Sequence, residues 1–172
     1  PAQAVLMPED STAATIYTYF GISPDKEDDE AGGVPSQSTL SFEKFNDQIT
    51  ELTSGAYTIM PLPELIKAQQ AGRSLPRKTV ALTFDHLDSA FLKTVAPLLL
   101  DKKIPFTLFI SASQLDQAQG DVTWAALRTL LAKPGVSLGM TAYNYSHLAT
   151  WPKEKLTADI NQARSRIREE LK

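Results

Sequence analysis

The sequence predicts an α/β fold built on parallel strands, and two observations carry that expectation. Strand-like runs alternate with segments of helical periodicity along most of the chain. The run Thr79-Val-Ala-Leu-Thr-Phe84 is apolar almost throughout, the pattern of a strand covered on both faces. A third observation bears on function. The chain has two histidines, His86 and His147, and each follows a strand-like run. At 172 residues the chain has the size of one domain and the length to bury one core.

Taken in order, Thr15-Ile-Tyr-Thr-Tyr-Phe20 is β-branched and aromatic, stops at Gly21, and reads as the first strand. Asp25-Lys-Glu-Asp-Asp-Glu30 and the glycines after it read as a solvated loop, because the ligand spacing of a calcium loop is absent. Ser41 is placed to cap a helix in which Phe42, Phe45, Ile49 and Leu52 recur at helical spacing, ending near Gly55. Residues 56–60 form a short strand. Pro61 and Pro63 open a helix containing Leu65, Ile66 and Ala68, with Gly72 beyond its end. After the 79–84 strand come a helix over about 89–100, a strand over 106–110, a helix over about 124–131 and a strand over 136–140. Asp88 reads as a first-turn acid, and Trp124 and Trp151 as core or rim aromatics. The last helix puts Leu156, Ile160, Ala163, Ile167 and Leu171 on one face. It is still in phase at Lys172, which reads as C-terminal truncation or as a module that continues elsewhere.

Composition narrows the function classes. A net charge of -3 argues against a nucleic-acid surface, and Arg164, Arg166 and Arg168 beside Glu169 and Glu170 read as a solvated helix face. The absence of cysteine excludes disulfides, thiolate nucleophiles and zinc ribbons. No apolar run reaches the roughly 18–20 residues of a membrane span. The opening Pro1-Ala-Gln-Ala has the small residues of a tail left by signal cleavage, which points to a periplasmic or extracellular location without excluding the cytoplasm.

In parallel α/β folds, sites collect at the carboxyl ends of the strands. Asp85 and His86 fall at one such end, and Tyr143, Ser146 and His147 follow another. Two imidazoles and an oxygen ligand suit a hydrolytic zinc site with a place left for water, and a carboxylate beside it suits a general base. Each residue has a plainer reading: Asp85 as a strand-end cap, His86 as a half-buried histidine on a backbone carbonyl, Tyr143 as a packing aromatic.

These segments resemble the polysaccharide deacetylases, the NodB-homology group of carbohydrate esterases (family 4). That family's first motif, Thr-Phe-Asp-Asp at a strand end, reads here Thr83-Phe84-Asp85-His86. Its second, His-Ser/Thr-x-x-His, aligns without gaps on Tyr143-Asn144-Tyr145-Ser146-His147. Pro105-Phe-Thr-Leu-Phe-Ile110 is similar to the strand after the first motif. Val122-Thr-Trp-Ala-Ala-Leu-Arg-Thr-Leu130 is similar to a family helix, and Tyr57-Thr-Ile-Met-Pro-Leu-Pro63 to a bacterial lead-in. The resemblance runs from about Tyr17 onward.

It implies a distorted, incomplete (β/α) barrel of the deacetylase type. Residues 1–172 would be a single deacetylase-like domain, with 1–77 a lead-in, 78–172 the first part of the barrel, and the rest after Lys172. It implies Asp85 as catalytic base, a divalent metal such as zinc on His86 and His147, and removal of N-acetyl groups from a carbohydrate polymer. Two of the three metal positions differ from the family pattern, since His86 replaces an aspartate and Tyr143 a histidine. The later motifs, with their arginine and final histidine, are not in the sequence. The chain is therefore expected to be an N-deacetylase with a remodelled, impaired metal site. The alternatives are a catalytically silent domain serving glycan binding or assembly, or a shift to O-acetyl esters or cyclic amides.

Overall fold

The structure, a computed structural model, describes residues 13–23, 39–85, 87–117, 122–144 and 148–172. The acidic loop expected at 25–33 lies outside them. The chain opens with β1 (Thr15–Tyr19) and β2 (Gly21–Ser23) and resumes with β3 (Thr39–Ser41), α1 (Phe42–Leu52), β4 (Thr58–Ile59) and α2 (Leu62–Gln70). Next come β5 (Thr79–Phe84), a π-helical turn at Phe91–Val95 that runs into α3 (Ala96–Asp101), and β6 (Phe106–Ile110). The remainder is α4 (Ala112–Asp116), α5 (Trp124–Leu131), β7 (Val136–Met140), a 3-10 turn at Leu148–Thr150 and α6 (Lys153–Glu170). The main sheet has the order β1–β5–β6–β7, with β4 paired to the start of β5 and every pairing parallel. β2 and β3 form a separate parallel pair. This is the expected α/β architecture, an incomplete (β/α) barrel whose described strands form an open sheet.

Local chemistry accounts for the element ends. Ser41 Oγ accepts the Lys44 N–H at 3.4 Å and starts α1, which buries Phe45, Ile49 and Leu52. Thr123 Oγ1 does the same for α5, accepting the Ala126 N–H at 3.1 Å. Just past α2, Gly72 has a φ of +62° that lets the Arg73 N–H reach back to the Ala68 carbonyl at 2.9 Å. Asp88 proves to be a cap, its Oδ1 accepting the Phe91 N–H at 2.6 Å. Within α2, Leu62, Leu65 and Ala68 define the buried face, and Ile66 is 44% exposed. The five residues on the predicted face of α6 all turn inward, with Ala163 fully buried and the other four half-buried. The buried polar residue there is Asp159, at 5% exposure.

The core lies between the sheet and helices α1, α3 and α5, and Phe84 is its hub. Its ring stacks on Tyr19 at 5.1 Å and meets Phe91, Phe106 and Phe45 edge-on at 5.0, 5.8 and 6.0 Å. Burial, with a contribution from Tyr17, pushes the Tyr19 phenol up to about 12, and its hydroxyl donates to Gln48 Oε1 at 3.1 Å. The other sheet face is more polar. Thr83 donates to Thr18 Oγ1 at 3.0 Å, and the Thr107 and Ser137 hydroxyls lie 2.7 Å apart. There the Phe109 ring covers Gly139, and a Cβ at 139 would stand 2.4 Å from Phe109 Cε1.

Candidate active site

The parallel pairing brings the ends of β1, β5, β6 and β7 to one edge of the sheet. Asp85 is the first residue past β5. Its N–H donates to the Tyr19 carbonyl at 2.9 Å, which ties it to the end of β1. Burial raises its carboxyl above the usual aspartate range. His86, Ser146 and His147 lie outside the described residues. Past β6, the buried hydroxyls of Ser111 and Ser113 are 3.0 Å apart. Past β7, Thr141 donates both its N–H (2.9 Å) and its hydroxyl (3.0 Å) to the Ile110 carbonyl, so β7 leaves the sheet in step with β6. Asp85 and the end of β7 are thus two strand spacings apart, roughly 10 Å. Clefts of about 340 Å³ beside α2 and 240 Å³ at the amino ends of β1 and β5 lie away from this edge.

Tyr143 is held at every polar atom. Its N–H donates to Asp159 Oδ1 at 2.6 Å, and its carbonyl accepts from Ser111 Oγ at 2.5 Å and the Ser113 N–H at 3.3 Å. Its phenol donates to Asp116 Oδ2 at 3.0 Å. Asp116 also accepts from Trp124 Nε1 at 2.9 Å and from Arg166 Nε at 2.8 Å. Arg166 in turn pairs with Glu170 at 2.8 Å. The bond to Asp116, with burial second, raises the Tyr143 pKa, so the phenol stays a neutral donor aimed at α4.

For Asp116, burial alone would raise the pKa, but hydrogen bonds from Trp124, Arg166 and Tyr143 together hold it below the usual range. Its contribution to stability is therefore complete above the unfolded aspartate value of about 4 and is lost as pH falls through the lower folded value. Asp116→Asn is expected to flatten this acid limb, read from urea unfolding between about pH 7 and pH 3. An unchanged pH slope would mean that the network does not hold in solution.

Among the described residues no group of three His, Cys, Asp or Glu side chains is placed to hold a metal ion. Sequence reasoning located Asp85 and Tyr143 at this edge but missed Asp116, Asp159, Ser111 and Ser113. One available signal was an acid, Asp159, set inside the apolar stripe Leu156, Ile160 and Ala163.

Comparison with known proteins bears on this edge. The sequence profile of the family described as polysaccharide deacetylase matches residues 72–172, more than half of the chain. The chain belongs to the polysaccharide deacetylase family. No curated protein sequence matches it. Among solved structures it is similar to the Streptococcus pyogenes deacetylase PplD in complex with acetate. That match has a TM-score of 0.78 and 16% identity over 92% of this chain and 69% of that one. It is also similar to IcaB from Ammonifex degensii (TM-score 0.75, 19% identity, 94% and 71% covered). A third is a de-N-acetylase from Aggregatibacter actinomycetemcomitans (TM-score 0.74, 17% identity, 92% and 75% covered). At identities this low, the TM-scores show a shared fold.

Proposed function

We propose that the chain hydrolyses N-acetyl groups on a carbohydrate polymer or oligosaccharide, with Asp85 as general base. The observation that carries the reading is the half-buried Asp85 carboxyl at the end of β5, its proton affinity raised and its backbone fixed to β1. A base acts best when its pKa approaches the working pH, and partial burial moves Asp85 in that direction. In the step, a water oxygen bonds to the acetamide carbon while its proton passes to the Asp85 carboxylate. Collapse of the tetrahedral intermediate breaks the C–N bond as the nitrogen takes up the proton held by Asp85, which releases acetate and the sugar amine and restores the carboxylate.

The family resemblance calls for a divalent ion, zinc by its ligand preferences, held by His86 and His147. When bound, such an ion polarises the carbonyl and acidifies water. The donor set fits only in part, because the Tyr143 phenol is committed to Asp116. A polymeric substrate goes with a periplasmic or extracellular location. No helix among the described residues is long and apolar enough to cross a membrane.

The test is acetate release from N-acetylglucosamine oligomers by the purified chain, with chelator and then with added zinc. Release that chelator stops and zinc restores is expected; none under any of these conditions sinks the proposal. The commitment of Tyr143 favours a second reading, a silent glycan-binding or assembly module. Saturable oligosaccharide binding without acetate release would select it.

A further inference from the structure

Asp159 is the one charged side chain in the buried class among the described residues, at 5% exposure. It lies on α6, yet its hydrogen-bond partners are in the turn after β7. Oδ1 accepts the Tyr143 N–H at 2.6 Å, and Oδ2 accepts the Asn144 N–H at 3.2 Å and Asn144 Nδ2 at 2.7 Å. An apolar residue at 159 would extend the stripe of Leu156, Ile160 and Ala163 without the cost of burying a carboxylate. The acid is needed for a different reason. Past Thr141 the chain leaves β6, so the consecutive N–H groups of Tyr143 and Asn144 need an acceptor that no strand supplies.

α6 is built to deliver that acceptor. Asp159, Ala163 and Arg166 recur at i, i+4 and i+7 and so share a helix face. Ala163, fully buried, lets the helix approach closely. Asp159 grips the backbone of the turn, and Arg166, through Asp116, grips the phenol of Tyr143. Both ends of one helix face thus act on one residue.

We propose that Asp159 is a positioning residue for the turn after β7: its carboxylate fixes the backbone of Tyr143 and Asn144, where the second motif begins. The consequence for catalysis rests on the proposed function; the positioning itself does not.

The test uses the full chain with Asp159→Ala and Asp159→Asn. Amide hydrogen exchange is read at Tyr143 and Asn144, with Leu82 and Phe84 in β5 as the internal reference. In Asp159→Ala, exchange at 143 and 144 is expected to rise about tenfold or more beyond any rise in β5. Asp159→Asn keeps the oxygen facing Tyr143 and is expected to restore protection at 143 more than at 144. If Asp159→Ala does not fold, this asymmetry in Asp159→Asn decides alone. Uniform acceleration across β5 and the turn would overturn the proposal, because Asp159 would then be one more packed residue. Unchanged exchange at 143 and 144 would overturn it as well. In acetate-release assays, Asp159→Ala is expected to lower kcat with KM within about twofold, the pattern of a displaced group rather than lost substrate binding. A parent chain that releases no acetate removes the proposed function and leaves the exchange result to stand.

Discussion

Asp85→Asn is expected to lower the rate of acetate release about 10²–10⁴-fold, the usual worth of a positioned general base. The substitution keeps the size of the side chain and leaves the backbone bond to the Tyr19 carbonyl in place, so the fold should be unaffected. In the parent, the rate should fall as pH is lowered through the Asp85 pKa, because only the carboxylate accepts the water proton. The measurement is kcat/KM against pH for both proteins, with a denaturation midpoint to confirm folding. Equal rates would remove Asp85 from the chemistry, whatever else the edge does.

Phe84→Ala is expected to cost about 3–5 kcal/mol of unfolding free energy. The ring is almost fully buried and meets four other aromatic rings, so its loss leaves a cavity that those rigid neighbours fill poorly. Against a typical total of about 5–15 kcal/mol, such a loss leaves the chain near the edge of folding. Because Phe84 precedes Asp85, a partly relaxed core would also move the base. Ile66→Ala, at a 44% exposed position, is the control and should stay within about 0.5 kcal/mol. Urea titration of the three proteins gives both numbers, and a Phe84 effect no larger than that of Ile66 would mean that the hub is not rigid.

The sequence made the frame readable where the cause was local. The apolar run 79–84 gave a central strand, Ser41 and the Phe45–Ile49–Leu52 spacing gave α1, and Asp85 fell at a strand end because the strand itself was unmistakable. What stayed hidden was long-range. The short helix α4 lacks a periodic signature, yet it carries Asp116, the partner of Tyr143 and of Arg166 fifty positions away. Asp159 reaches Tyr143 across sixteen positions. No spacing rule in the sequence pairs these residues. Tyr143 could be placed at the edge from its motif, but the direction of its phenol depends on which acid it meets.

The bare Cα of Gly139 beneath the Phe109 ring has an evolutionary corollary. Any side chain at 139 would overlap three ring atoms at 2.4–2.9 Å. A methyl group at 139 is admissible only when the aromatic at 109 shrinks or swings aside. Change at 139 is therefore conditional on change at 109, and Gly139→Ala is expected to lower the urea unfolding midpoint by itself and to be rescued by Phe109→Leu.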